Sequence, residues 1–242
     1  MKTVKEEILE IWDWETGRPT GRPVGRTLAH REGVPHEGVH LWIVRLAGGR
    51  AEVLFQHRSM DKKMYPDCLD ITVGGHVPFG LERDKIQKEA EEEVGVVPRD
   101  EDLVDLGYFR YEERDGEIFH REFQRVYILV DNRSLDRYSF RDGEVVGIYA
   151  VALKDLEELM RGDRPLTAEG YDGKRVFSKR LTRADFHPLL FSPIMGSYMG
   201  IVLSAVRSLA CGEPVTAAME IRSASTRSEE HTSELQSRYV IS

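Results

Sequence analysis

The sequence predicts an α/β fold in which a sheet is sandwiched between helices. Three observations carry this expectation. Short strand-like runs separated by turn signals recur from residue 39 to residue 151. Three helical stretches with apolar spacing are set among and after them. The chain has 242 residues, 40% of them hydrophobic and 31% charged, a balance that supplies a sizeable core for one large domain or one domain with an extension.

Taken in order, residues 39–46 (VHLWIVRL) and 52–56 read as strands joined by the hairpin signal Ala47-Gly48-Gly49-Arg50. Residues 71–73 make a short third strand that ends at a Gly74-Gly75 turn. Residues 82–94 predict a helix, because Ile86, Ala90 and Val94 recur at four-residue spacing and Gly95 follows as a stop. Further strands are expected at 103–111, 119–130 and 145–151, with Asp115-Gly116 as the turn between the first two. Helices are expected at 153–161, ending at Gly162, and at 194–209, ending near Gly212. Residues 163–214 form an extension on a core of residues 1–162. Residues 215–242 are expected to form a polar, disordered tail; within it, 227–237 (RSEEHTSELQS) resembles a translated sequencing adapter, so this sequence does not give the natural C-terminus and the tail is expected to carry no fold.

The formal net charge of −8 argues against long nucleic-acid partners, whose binding leans on Lys and Arg. A small phosphorylated substrate held through a metal remains compatible, since the metal supplies positive charge. Two distant thiols, Cys68 and Cys211, suggest neither a disulfide framework nor a zinc site and fit a reducing cytosol. No apolar leader opens the chain, and no run of about 18 to 20 apolar residues is expected to span a membrane. These features together predict a cytoplasmic protein.

The informative stretch is residues 74–96, GGHVPFGLERDKIQKEAEEEVGV. On a helix, Glu89, Glu92 and Glu93 fall within an arc of roughly 100°. Three carboxylates so placed repel one another unless a cation neutralises them, and an all-oxygen, multiply charged site suits Mg²⁺ or Mn²⁺. Ile86, Ala90 and Val94 are expected to anchor the opposite face. A solvated charged helix face is the alternative that the cluster alone leaves open.

This stretch resembles the Nudix box, G-x5-E-x7-R-E-U-x-E-E-x-G-U, in which U is a bulky apolar residue. Lys88 stands for the Arg, and Glu89 through Val96 match the second half. The first half departs: counted from Gly75, the box Glu falls on Leu81 and the following spacer is one residue short, so that Glu82 is the substitute. In the family that Glu pairs with the box Arg, and here both partners differ. The run 57–76 (HRSMDKKMYPDCLDITVGGH), the histidines His30, His36 and His40 before the first core strand, and Glu144-Val145-Val146-Gly147 followed by LKDLEELMRG resemble the isopentenyl-diphosphate-isomerase-like branch. The resemblance covers residues 8–162.

The resemblance implies a Nudix-type α/β/α sandwich with a mixed sheet and, here, a C-terminal helical extension. It implies Mg²⁺, with Mn²⁺ as the alternative, held by Glu89, Glu92 and Glu93. Glu93 and Glu144 are the two candidate general bases. Arg58 and Lys63 are candidate diphosphate contacts, with Gly74, Gly75 and His76 lining the substrate. The isomerases further imply a second metal on His40 with Glu122. Those enzymes carry a catalytic cysteine where this chain has Gly74, and glycine cannot move a proton to or from carbon. The expected activity is therefore hydrolysis of a nucleoside-diphosphate-linked or other organic diphosphate, with small-molecule partners and a homodimer of the kind common in the family. Isopentenyl-diphosphate isomerisation and a non-catalytic diphosphate-binding module are the alternatives.

Overall fold

A computed structural model of the chain describes residues 6–81 and 85–219. Its organising strand is β3 (His36–Ala47), whose apolar residues are buried on both faces. A strand buried on both faces must be covered by helices on both sides, and the remaining elements supply that cover. In chain order, β3 follows β1 (Ile8–Asp13), β2 (Arg18–Gly25) and α1 (Arg26–Glu32). It precedes β4 (Arg50–Arg58), β5 (Leu69–Ile71), β6 (Val73–His76), α2 (Lys85–Val94), β7 (Leu103–Asp115), β8 (Ile118–Val130), β9 (Val145–Ala152) and α3 (Leu153–Arg161). The chain closes with β10 (Leu166–Tyr171), β11 (Val176–Leu181) and α4 (Pro193–Cys211).

β3 pairs antiparallel with β4 through 44–47 and with β6 through 38–41. On its other edge it runs parallel to β8, from His36 opposite Glu122 to Val44 opposite Val130. That parallel pair makes the sheet mixed. The main path through the sheet is β11-β10-β9-β4-β3-β1-β2, with β5, β6, β7 and β8 branching from it.

Side-chain alternation sorts the core into two layers. Trp42 and Val44 point with Phe55, Val126 and Val151 toward Leu156 and Leu159 of α3 and Tyr198, Met199 and Val202 of α4. Val39, Leu41 and Ile43 point with Leu54 and Val73 toward Ile86, Ala90 and Val94 of α2. The fold is thus the helix–sheet–helix sandwich that the sequence predicts.

Four expectations change. Gly74 and Gly75 lie inside β6 rather than at a turn, because their backbone is needed to pair with His40 and Val39. The extension is not wholly helical: β10 and β11 form a hairpin that pairs with β9 and lengthens the core sheet, and only its second half is the expected helix. The short α1 was not foreseen. Helix α4, 19 residues with a mean hydropathy of 1.4, is long and apolar enough to cross a membrane, contrary to the expectation that no stretch would be. Instead it buries Met195, Tyr198, Met199, Val202, Leu203, Ala205 and Val206 against the sheet. Glu82 and residues 220–242 lie outside the described residues.

If α4 is a core helix, truncating a side chain on its buried face leaves a cavity. Met199, 1% exposed, should cost about 2–5 kcal/mol when changed to Ala, read as a lowered midpoint in urea denaturation of the purified chain.

Candidate functional site

The acidic helix does not divide into an apolar face and an opposite charged face. At about 100° per residue, position 93 lies only about 20° from position 86. Glu93 therefore belongs to the buried stripe, and it is 5% exposed beside Ile86, Ala90 and Val94. Glu92 points outward, half exposed, and Glu89 sits between the two. Lys88 bridges Glu89 and Glu92 at 3.0 Å each, which offsets part of their repulsion.

Glu93 turns inward onto the free edge of β6. Its Oε2 accepts the Gly74 N–H at 3.1 Å and Gln56 Nε2 at 3.4 Å. The edge amide is available because β6 pairs only with β3, on its other side. Burial raises the Glu93 carboxyl well above its usual range; the Gly74 N–H lowers it, Asp142 and Glu89 raise it further, and Lys62 lowers it. The structure joins Glu93 to Asp142 and Glu144, whose oxygens all lie within 4.8 Å of one another. Both come from the tight turn before β9, where Gly143 has φ +77 and Asp142 accepts the Glu144 N–H at 2.8 Å. A buried carboxylate facing two others in an all-oxygen group fits a hard divalent cation such as Mg²⁺.

The other predicted contacts surround this point. Gly75 is a glycine for a specific reason: a Cβ there would lie 2.5 Å from the Glu89 carboxylate. Arg58 is occupied within the protein, donating to Tyr65 O and Met64 O at 3.0 Å and to Asp70 at 3.1 Å. It thereby holds a loop in which Tyr65 and Asp67 take positive φ. Lys63 is exposed. Its neighbour Lys62 is the one that reaches the centre, through an ion pair with Glu144.

A second centre lies on the other face of the sheet, the one covered by α4. His30, His36, His76 and Glu122 bring one ligand atom each within 4.8 Å of one another. Gly33, with φ +64 where a Cβ would strike the Phe119 ring, ends α1 and turns the chain so that His30 and His36 face each other, ring centroids 5.0 Å apart. His30 Nε2 and His76 Nε2 are 3.1 Å apart. His30 Nδ1 and His36 Nε2 are buried without a hydrogen-bond partner, 4.0 and 3.8 Å from Glu122 Oε1. Burial lowers His30 to about 4 and holds His76 well below its ordinary value, so both offer lone pairs at neutral pH. Glu122 is pushed up by burial, but His120, which bonds it at 3.0 Å, and the other imidazoles outweigh this and leave it well below the carboxylate range. Three imidazole nitrogens and one carboxylate suit a borderline transition metal better than Mg²⁺.

This corrects the pairing expected of His40. Glu122 is met by His30, His36 and His120, while His40 Nδ1 lies 3.0 Å from the Tyr198 hydroxyl. The strand register explains the change: residue 36 lies directly opposite Glu122, whereas residue 40 lies four residues along β3, opposite Gly74 and Val126. His76, expected to line the substrate, belongs to this histidine group. Asp142 was missed, although an Asp-Gly turn ahead of a strand was there to be read.

No family model matches the chain. A Clostridium acetobutylicum protein described as an uncharacterized Nudix hydrolase is 29% identical over 212 residues, which is 84% of this chain and 98% of that protein. Nudix hydrolase 3 of Arabidopsis thaliana is 29% identical over 157 residues, 62% of this chain but 20% of the plant protein, so the match spans about a fifth of that relative. The chain is similar to Nudix hydrolases over most of its length. Among solved structures, a Deinococcus radiodurans protein superposes with TM-score 0.48 at 22% identity, covering 64% of this chain and 88% of that one. Helix α2 is the element whose sequence resembles the Nudix box. Leu81, in the place of the box Glu, packs against the apolar layer beneath it, and Lys88, in the place of the box Arg, turns to Glu89 and Glu92 instead.

Glu93 ties α2 to pH. Its folded-state pKa lies above the ordinary 4.5, so the folded state holds this proton more tightly than the unfolded state does. That contribution is present below about pH 4.5 and is lost as pH rises toward the folded value. In EDTA, Glu93→Gln should therefore raise Tm relative to the unaltered chain at pH 8, by about 2–4 °C for each kcal/mol recovered, with the gap closing toward pH 5. Mg²⁺ should stabilise the unaltered chain and leave the variant unmoved. Calorimetry at the two pH values checks both statements.

Proposed function

We propose that this Nudix hydrolase cleaves the diphosphate linkage of a nucleoside-diphosphate-linked or other organic diphosphate in a Mg²⁺-dependent reaction. The observation that carries the reading is the buried Glu93 carboxylate, held to the Gly74 amide and met by Asp142 and Glu144. Glu93, with Glu89 and Glu92 from the same helix, would hold Mg²⁺, and Mn²⁺ is chemically acceptable there. Bound Mg²⁺ supplies charge neutralisation on the phosphoryl oxygens and a more acidic attacking water.

The chain's own groups do the rest. Glu144 or Glu93 would take the water's proton, and the Lys62 ion pair orients Glu144. Gly74 and Gly75 leave backbone, rather than side chain, against the substrate. Lys63 would reach a phosphate from the exposed loop, and Arg58 keeps that loop in shape. The histidine centre supports a place in the isomerase-like branch, in which His30, His36, His76 and Glu122 would hold a second metal. Gly74 supplies no acid or base for carbon, which favours hydrolysis over isomerisation. The family resemblance and the two free thiols support a cytosolic homodimer acting on small molecules.

The test is release of phosphate or nucleoside monophosphate from a panel of nucleoside-diphosphate-linked compounds with Mg²⁺. Release should fall at least about a hundredfold in Glu93→Gln and disappear in EDTA. Binding without release, in a chain that still takes up Mg²⁺ by calorimetry, would replace the reading with that of a diphosphate-binding module.

A further inference from the structure

His40 is unused by either centre, yet it stands at the point where they meet. It lies on β3 opposite Gly74, and a Cβ on Gly74 would lie 3.3 Å from its Cδ2 and 3.8 Å from its Nε2. One face of Gly74 is thus open to His40, while the Gly74 amide is bonded to Glu93. The ring is held from behind. Nδ1 lies 3.0 Å from Tyr198 Oη, and Trp42 Nε1 donates to that same oxygen at 2.9 Å. Trp42 and Tyr198 are both fully buried.

Counting protons settles the direction of this chain. The indole N–H can only donate, so Tyr198 Oη accepts from Trp42. The phenolic proton then needs an acceptor, and among the described residues the single one within reach is His40 Nδ1. The reverse arrangement, with Nδ1–H donating, would strand the Tyr198 hydroxyl proton in the core at a cost of about 1–3 kcal/mol. His40 is held neutral, because burial lowers it to about 4 against the opposing charges of Asp70 and Glu122, so its one ring proton sits on Nε2. No described residue accepts that proton, and His40 is only half-buried, so Nε2–H faces the gap beside Gly74.

We propose that Tyr198 and Trp42 lock His40 as the Nε2–H tautomer, and that this N–H is a substrate-binding donor to a diphosphate oxygen lying against Gly74. The proposal rests on the diphosphate reading above. It makes Gly74 a space-giving residue: any side chain there would stand between the imidazole and the ligand.

The test uses the full chain labelled with ring-¹⁵N histidine, with His40 assigned from a His40→Gln spectrum and inorganic pyrophosphate with Mg²⁺ as the probe. The unaltered chain should show Nε2–H for His40, and Tyr198→Phe should lose that single-tautomer signature. Pyrophosphate should move the Nε2–H resonance. By calorimetry, His40→Phe should weaken pyrophosphate about tenfold, while His40→Gln, which keeps an N–H near the same point, should stay within about threefold. An Nδ1–H tautomer in the unaltered chain overturns the proposal, as does a pyrophosphate affinity unchanged in His40→Phe. A shifted Nε2–H in a chain that cleaves no organic diphosphate upholds this assignment and sinks the hydrolase reading. Cleavage with an unmoved Nε2–H does the reverse.

Discussion

The hydrogen bond from the Gly74 amide to the buried Glu93 carboxylate joins the two halves of this molecule. It fixes the box helix against a four-residue strand that has only one paired edge. A carboxylate buried this deeply is costly unless something neutralises it, and the structure answers with one amide, one side-chain amide and two further carboxylates that invite a cation. The position of α2 and the approach of the Asp142–Glu144 turn accommodate that carboxylate, while Gly75 leaves room for Glu89 and Gly74 for His40.

β6 has glycine at its two central positions, and its two faces look onto two different chemical environments. On the α2 side the groups are hard oxygens. On the α4 side they are imidazoles backed by Glu122 and, farther along β3, the His40–Tyr198–Trp42 chain. Strand alternation generates this division, since consecutive residues of β3 and β8 are sent to opposite layers. A ligand at the free edge of β6 would touch both environments at once.

Much of the sandwich was legible in the sequence, because it rests on patterns a few residues long: apolar alternation at 39–46, the four-residue stripe of α2, and glycines at the hairpins. Glu93 was legible as a candidate metal ligand but not as a buried residue, which required asking which side of α2 faces the sheet. The histidine centre was only half legible. His120 and Glu122 share a face by strand period, but their meeting with His30 and His36 depends on the parallel pairing of β3 with β8, a contact between segments more than eighty residues apart. The β10–β11 hairpin was hidden because Glu169, Ser178, Lys179 and Arg180 leave its strands polar, an arrangement suited to the outer end of a sheet.

That hairpin and the N-terminal one have a shared consequence for how copies of the chain meet. β11 and β2 are the two ends of the main path through the sheet, and an unprotected end strand invites another chain to add to it. β2 carries Pro19 and Pro23, which have no amide to offer, and β11 carries Lys179 and Arg180. Growth of the sheet from molecule to molecule is thereby discouraged at both ends, which keeps so long a sheet from polymerising.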